Sequence, residues 1–368
     1  MSLRREFTAL ALQPGANVSA LCKGYGISRK TGYKWLGRVE EPGEDRSRRP
    51  LHSPRQTAAA VEQPLLELRA RCPDWGARKL KRYLEDRGSA MPAVSTITAI
   101  LRRHGLISEA ASQTAHRWQR FEHPLPNALW QMDFKGHVAM VQGRCHPLTV
   151  LDDHSRFNLV LQACAGETLQ TVQSALQQCF RRYGLPQRIS CDNGPPWGNS
   201  QNENQLTRLG AWLIRIGVSI SHARPCHPQT NGKDERFHRT LNNALLKHRT
   251  LNNLDDAQHA FDAFRDLYNH ERPHQALGLD VPVSRYRPSD RPFPEVLPTI
   301  EYDPAMLVRK VDSIGYIALH GQRHRISRAL IGQPVALQIH PQNETQRIVY
   351  FCHHTVRTID LRAPDAIE

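Results

Sequence analysis

Apolar positions in the first third of the chain recur at helical spacing and are interrupted by polar breaks. In "NVSALCKGYGISRKTGYKWLGRV" they predict a short helix from Val18 to about Gly24, a turn at Gly26 and a second helix capped by Ser28. Val18, Leu21, Ile27, Leu36 and either Tyr33 or Trp35 would form the small core of this helix-turn-helix, residues 1–40, leaving Arg29, Lys30 and Lys34 outside on the second helix. "EEPGEDRSRRPLHSPRQ" has no apolar period and reads as a basic linker, residues 41–56. The helical period returns over residues 57–107 as three helices and a second helix-turn-helix, with Ser95 as N-cap of the third and Val94, Ile97, Ile100 and Leu101 inward. Lys79, Lys81, Arg82, Arg102 and Arg103 supply the charge of this unit, and residues 108–123 form a connector.

Over residues 124–289 the period alternates between two and 3.6. "LWQMDFKGHVAMV" and "HPLTVLDDHSRFNLVLQAC" predict three antiparallel strands with a turn at Gln142 to Arg144. A helix in "TLQTVQSALQQCFRRYG", a buried strand in "QRISCDNG", a helix in "ENQLTRLGAWLIRIG", a strand in "VSISHARP" and a helix beginning in "HPQTNGKDERFHRT" complete an α/β order. One more helix, Asp255 to Asn269, carries Ala260, Phe261, Phe264 and Leu267 near one face, suited equally to self-association and to internal packing. Residues 299–362 hold short β-rich runs, "SIGYIAL", "HRISR", "PVALQIH", "QRIVYFC" and "TVRTIDL", which predict a small barrel-like β domain.

Charge narrows the choice of partner. Lys and Arg outnumber Asp and Glu by 49 to 35, a formal charge of +14 with a pI near 9.7, so a polyanion is expected and nucleic acid is the first candidate. No apolar run approaches the roughly 20 residues of a membrane span, and the N-terminus lacks a signal-peptide core, so the expectation is a cytoplasmic protein, nucleoid-associated when on DNA. Eight cysteines without a C-x-x-C pair indicate neither a disulfide framework nor a zinc finger, and the His pairs 353/354 and 320/324 have no matching ligands.

Three carboxylates carry the candidate chemistry. Asp133 lies inside the strand "WQMDF", where a lone buried acid needs a cation beside it. Asp192 follows the strand "RISC" at an end where α/β sheets expose their sites. In "NGKDERFHRT", Asn231 is a good N-cap and Asp234 holds the position of a capping-box acid, whereas Glu235 shares a face with His238, Arg239 and Asn242, opposite the stripe Phe237, Leu241, Ala244 and Leu245. Taken alone, Glu235 would be an exposed partner of Arg239. With Asp133 and Asp192 it completes a trio of hard oxygen donors suited to two Mg²⁺ ions. Asp152 and Asp153 read as a turn or an ion pair with Arg156, while His227 and Lys233 flank the third acid as candidate phosphate contacts.

The segments "WQMDF", "VLDDHSRF", "SCDNGPPW", "HPQTNGKDERFHRTL" and "YNHERPHQALG..VP" resemble the integrase-core transposases of bacterial insertion sequences, relatives of retroviral integrases. The likeness is strong over residues 124–289 and looser over the helix-turn-helix units. It implies an RNase H-like core, a mixed sheet with flanking helices, preceded by all-α domains and followed by the small β domain. It also implies Mg²⁺ or Mn²⁺ on the catalytic acids Asp133, Asp192 and Glu235, with double-stranded DNA as partner; since one acid trio serves one end and two ends must be joined, a homo-oligomer on that DNA is expected. The interval from Asp192 to Glu235 exceeds the family's commonest spacing, and "GNSQNENQ" is the expected place for the extra length. The implied activity is cleavage of element ends and transfer to target DNA. The alternatives are a nuclease without strand transfer and a non-catalytic DNA-binding regulator.

Overall fold

The computed structural model describes residues 3–37, 56–107, 122–192, 194, 196–197, 206–222 and 232–362. The chain divides into two compact units, residues 1–58 and 59–368. His227, Asn231 and most of "GNSQNENQ" lie outside the described residues.

The first unit consists of α1 (Leu3–Ala11), α2 (Val18–Gly24) and α3 (Arg29–Leu36). Asn17 caps α2 by accepting from the Ala20 N–H at 3.1 Å, and Ser28 caps α3 by accepting from Thr31 at 3.1 Å, so two orphan helix donors are satisfied locally. Gly26 takes the left-handed turn between them, φ +64°. The core centres on Phe7 of α1, a helix the apolar pattern did not reveal, with Tyr25 and Trp35 each edge-on at 5.6 Å. Of the two aromatic candidates in α3, Trp35 faces in and Tyr33 faces solvent. Arg29, Lys30 and Lys34 are all exposed.

The second unit begins with α4 (Ala59–Arg71), α5 (Ala77–Glu85) and α6 (Val94–Arg103), packed around Leu65, Trp75, Leu80, Ile97, Ile100 and Leu101. Ala93 caps α6, so Ser95 stands inside its first turn rather than at the cap.

The central sheet comprises β1 (Trp130–Phe134), β2 (Val138–Ala139), β3 (Arg144–Asp152), β4 (Asn158–Cys164), β5 (Arg188–Cys191) and β6 (Ser219–His222). Its order is β4-β3-β1-β5-β6, with the short β2 also paired to β3. β1, β3 and β4 run antiparallel in turn, whereas β5 and β6 run parallel to β1. The single long strand expected over residues 129–141 is broken at Gly136, φ +84°, into β1 and β2.

Strand alternation decides what each face of β1 meets. Trp130, Met132 and Phe134 enter a core with α7 (Leu169–Tyr183) and α8 (Arg208–Arg215). The intervening Gln131 and Asp133 therefore point to the other face, which α9 (Gly232–Leu241) and α10 (Leu254–Asp266) cover through Phe237, Leu241, Phe261 and Phe264. Ala260, Phe261 and Phe264 are buried there, and Leu267 packs on the second helix-turn-helix, so the apolar stripe once open to self-association is internal.

The C-terminal region holds β7 (Leu307–Lys310), β8 (Tyr316–Leu319), β9 (Gln322–Arg325), β10 (Pro334–His340), β11 (Asn343–Phe351) and β12 (His354–Asp360). A four-stranded sheet, β12-β11-β10-β7, and the hairpin β8-β9 share one core, which also takes in Ala211 and Ile214 of α8. β7 was absent from the five expected runs because its residues are mostly exposed.

A Cβ at Gly32 would lie 2.4 Å from Cys22 Sγ and 3.0 Å from Phe7. Gly32→Ala should therefore destabilise the first unit by about 1–3 kcal/mol through overpacking, and Cys22→Ala added to it should restore part of the loss. Hydrogen exchange across α1 to α3 in the full chain would show faster opening in the single variant and recovery in the double.

Candidate active site

Asp133 sits one residue before the end of β1, directly across from Thr149 of β3. β1 and β5 are parallel neighbours with Gln131 beside Ser190, and the same register carried two residues onward sets Asp133 alongside Asp192. The two acids thus share one end of the sheet because parallel strands bring like ends together. Asp192 is exposed, and its carbonyl oxygen lies 3.0 Å from His222 Nδ1 on the next strand.

α9 crosses above this end of the sheet. Lys233, in its first turn, forms a buried ion pair with Asp153 just beyond β3, and its ammonium also donates to the Asp153 carbonyl at 3.1 Å. Further along, Phe237 meets Tyr268 at 4.8 Å and Phe264 at 5.9 Å. These anchors set Asp234 and His238, one turn apart, onto the sheet and leave Glu235 exposed at the rim. His238 Nε2 lies 2.9 Å from Thr149 Oγ1, which donates its one proton to the Asp133 carbonyl oxygen at 3.0 Å. Thr149 must therefore accept from His238 Nε2–H, leaving the unprotonated Nδ1 facing Asp133, 3.9 Å from its carboxylate. Burial, aided by Lys135, pushes His238 down to about 4, consistent with a neutral ring.

Like charge and burial together govern the acids. Asp133 is pushed up to about 7, first by burial, then by Asp192, with smaller contributions from Glu167 and Glu235. Glu167, ahead of α7 and 2.9 Å from His146, was not singled out from sequence. Nor was Thr149, and His238, expected on the face of Glu235, instead turns with Asp234 onto the sheet while Glu235 stays exposed. Among the described residues, no three Asp, Glu, His or Cys side chains converge into a closed metal-ligand set. The trio is brought to one end of the sheet without closing on a point.

The N-cap expected to receive Asp234, Asn231, lies outside the described residues. The Asp234 side chain is fully buried, and among the described residues neither carboxylate oxygen has a hydrogen-bond partner. Burial first, and then the charge of Asp133, raise its pKa well above the ordinary carboxylate range.

The "DDHSR" segment is structural. Asp152 accepts from the Asn127 and Ser155 N–H groups at 2.7 and 2.8 Å, closing the turn. Asp153 accepts from Gln131 and the His123 N–H, both at 2.8 Å. Arg156 pairs with Glu122 at 2.9 Å, not with either aspartate.

Several expected DNA contacts have internal partners. Lys233 is taken by Asp153, Lys81 by Glu85 at 2.6 Å, Arg82 by Asp86 at 2.9 Å, and Arg103 by the buried Glu62 at 2.5 Å. Arg102 is exposed, and among the described residues neither it nor Lys79 has a carboxylate partner. The second helix-turn-helix instead uses charge to dock on the core: Arg272 bridges Asp74 at 2.5 Å, and Glu271 accepts from Tyr83 at 2.7 Å.

Models of the integrase core domain match residues 123–228 and 216–282, a homeodomain-like domain matches 31–101, and the C-terminal domain of IS481 family transposases matches 306–366. An uncharacterized 31.7 kDa protein of insertion element IS407 from Burkholderia multivorans is 27% identical over 157 residues, 43% of this chain and 54% of its own length. An uncharacterized 39.2 kDa protein of insertion element IS476 from Xanthomonas euvesicatoria is 29% identical over 161 residues, 43% of this chain and 44% of its own length. The chain thus spans about half the length of these curated relatives. Among solved structures, a simian T-cell lymphotropic virus intasome in complex with PP2A regulatory subunit B56 gamma covers 75% of this chain, and the match takes in 92% of that chain, at 17% identity and a TM-score of 0.38. No helix among the described residues is long and apolar enough to cross a membrane.

Replacing the buried, unpartnered Asp234 with Val should raise stability by about 1–3 kcal/mol, since an unsatisfied polar group is removed. The sign follows from linkage: an unfolded Asp ionises near 3.9 while the folded one keeps its proton, so this group weakens the fold as pH rises above 4. Melting in metal-free buffer should show a midpoint gap between Asp234→Val and the parent that is small at pH 4.5 and wide at pH 8.

Proposed function

We propose that this chain, which belongs to the transposase and integrase family, is a DNA transposase that binds the terminal inverted repeats of its element and processes them. Its helix-turn-helix units would select the ends, with Arg29, Lys30, Lys34 and Arg102 as the open basic positions. The observation that carries the reading is the meeting of Asp133 and Asp192 at adjacent parallel strand ends beneath α9, with Glu235 at the rim.

Asp133, Asp192 and Glu235 suit a hard divalent cation, Mg²⁺ or Mn²⁺. All their donors are carboxylate oxygens, and the repulsion that raises Asp133 is what positive charge would relieve. When bound, such an ion polarises a phosphodiester and lowers the pKa of an attacking water. The chain's own residues orient the site: Thr149 and His238 hold β1 against α9, and Lys233 fixes the first turn of α9 on Asp153. Hydrolysis at an element end forms a P–O bond from water's oxygen as the P–O3′ bond breaks, leaving a 3′-OH and a 5′-phosphate. That hydroxyl then attacks a target phosphodiester, forming one P–O bond as another breaks, without oxidation or a covalent enzyme intermediate.

Asp133→Asn, Asp192→Asn and Glu235→Gln should each lower end cleavage and strand transfer in Mg²⁺ by about a thousandfold, the equivalent of several kcal/mol of lost charge stabilisation. End binding should be nearly unchanged. Asp234→Asn should stay active, because the buried acid is neutral in the fold. A labelled terminal-repeat duplex followed on sequencing gels checks all four, and cleavage without joining would favour a nuclease instead.

Two ends must be joined to one target, and each protomer holds one acid trio, so at least two protomers should occupy a complex of paired ends. Mass measurement of that complex tests this, with a single protomer holding both ends as the contrary result.

A further inference from the structure

Both strand-end acids are tied through their main chain. The Asp133 carbonyl oxygen accepts from Thr149 Oγ1 at 3.0 Å, and His238 Nε2 backs that hydroxyl at 2.9 Å. Asp192 stands where β5 has already ended, beside the edge strand β6. Its carbonyl oxygen lies 3.0 Å from Nδ1 of His222, the last residue of β6. A carbonyl oxygen only accepts, so Nδ1 carries a proton and donates it to Asp192.

The register places this ring behind the acid. His222 pairs with Cys191 in the parallel ladder, and paired residues point to the same face of a sheet. Cys191 is fully buried in the core shared with α7 and α8, and Ile220, two residues before His222, packs against that same core. The thiol agrees with this placement: its Sγ is 3.7 Å from His222 Nδ1, and its S–H is directed at the Ser221 carbonyl at 4.0 Å. Alternation carried one residue past Cys191 turns the Asp192 side chain the other way, onto the face of Asp133 and α9. The imidazole therefore grips the Asp192 main chain from the face opposite its carboxylate. Repulsion makes such a grip useful, because the charges of Asp192 and Asp133 act on each other while β5 offers a ladder of only four residues, Arg188–Cys191, to hold Asp192 in place.

We propose that His222 is a positioning residue of the candidate metal site: its Nδ1–H bond to the Asp192 carbonyl fixes the direction in which Asp192 offers its carboxylate beside Asp133. The inference rests on the transposase reading and adds to it a residue that acts through Asp192 and not on DNA. The role belongs to one donor at one place, so it can be separated from bulk and from the ring's other nitrogen. Asn brings an amide N–H to the place of Nδ1, whereas Gln reaches the place of Nε2 and Ala supplies neither.

The test compares His222→Asn, His222→Gln and His222→Ala in the full chain. Cleavage of a labelled terminal-repeat duplex in Mg²⁺ should fall by up to about a hundredfold in the Gln and Ala variants, the cost of misplacing a reacting group by about 1 Å. The loss should lie in kcat, and the Asn variant should recover most of the parental rate. Mn²⁺ binding without DNA, followed by the paramagnetic resonance of the free ion, should weaken by about tenfold in the Gln and Ala variants and stay near parental in the Asn variant. Rescue by Gln and not by Asn would give the role to Nε2 and overturn the proposal. Equal loss in all three variants overturns it too, as does parental cleavage and Mn²⁺ binding in His222→Ala. If Mn²⁺ binding keeps the expected order while the parent cleaves no end, the transposase reading fails and the positioning role stands. A parent that neither binds Mn²⁺ nor cleaves overturns both.

Discussion

The crowding of carboxylates at one end of the central sheet is the constraint on which the rest of this molecule depends. Asp133 cannot be moved from Asp192 without breaking the parallel pairing of β1 and β5, and α9 adds Asp234 and Glu235 above them. Burying or crowding such groups costs free energy unless protons or cations compensate. Within the chain the compensation is partial: Asp234 stays protonated, and His238 contributes a neutral ring. The fold tolerates this because Phe237, Leu241, Phe261, Phe264 and Tyr268 make a continuous apolar seam that holds α9 in place.

Neighbouring acids do different work. Asp152 and Asp153 have all their visible bonds directed at backbone and side chains of the fold, and they fix a turn and the start of α9. Among the described residues Asp133, at a strand end, has the Phe134 N–H beside its carboxylate and no such set of partners, so burial and the charge of Asp192 raise its pKa.

The second helix-turn-helix is part of the core's unit, not a bead on a linker. A π turn, Leu267–Glu271, follows α10 and presents Leu267, Tyr268, Asn269 and Glu271 in sequence. Asn269 trades hydrogen bonds with the Asn158 backbone at 2.8 and 2.9 Å, Tyr268 braces Phe237, and Glu271 and Arg272 grip the recognition domain. One short segment therefore couples the edge of the sheet, the helix of the third acid and a DNA-recognition module.

By itself the sequence determined what depends on local periodicity and local caps. Period two in "WQMDF" put Asp133 on the face away from Met132, Ser28 and Gly26 marked the helix-turn-helix, and the alternation of strands and helices set the α/β order. Tertiary structure decided the partner of each charge. Lys233 looked like a phosphate contact and is held by Asp153, and Arg103 looked open and is paired with Glu62. Asp234 lies fully buried, without a hydrogen-bond partner among the described residues, which its place in the first turn of a helix did not foretell. The physical reason is that periodicity fixes which face a side chain occupies, whereas the element that covers that face is set by chain segments up to about two hundred residues away, as in the bridge from Asp74 to Arg272.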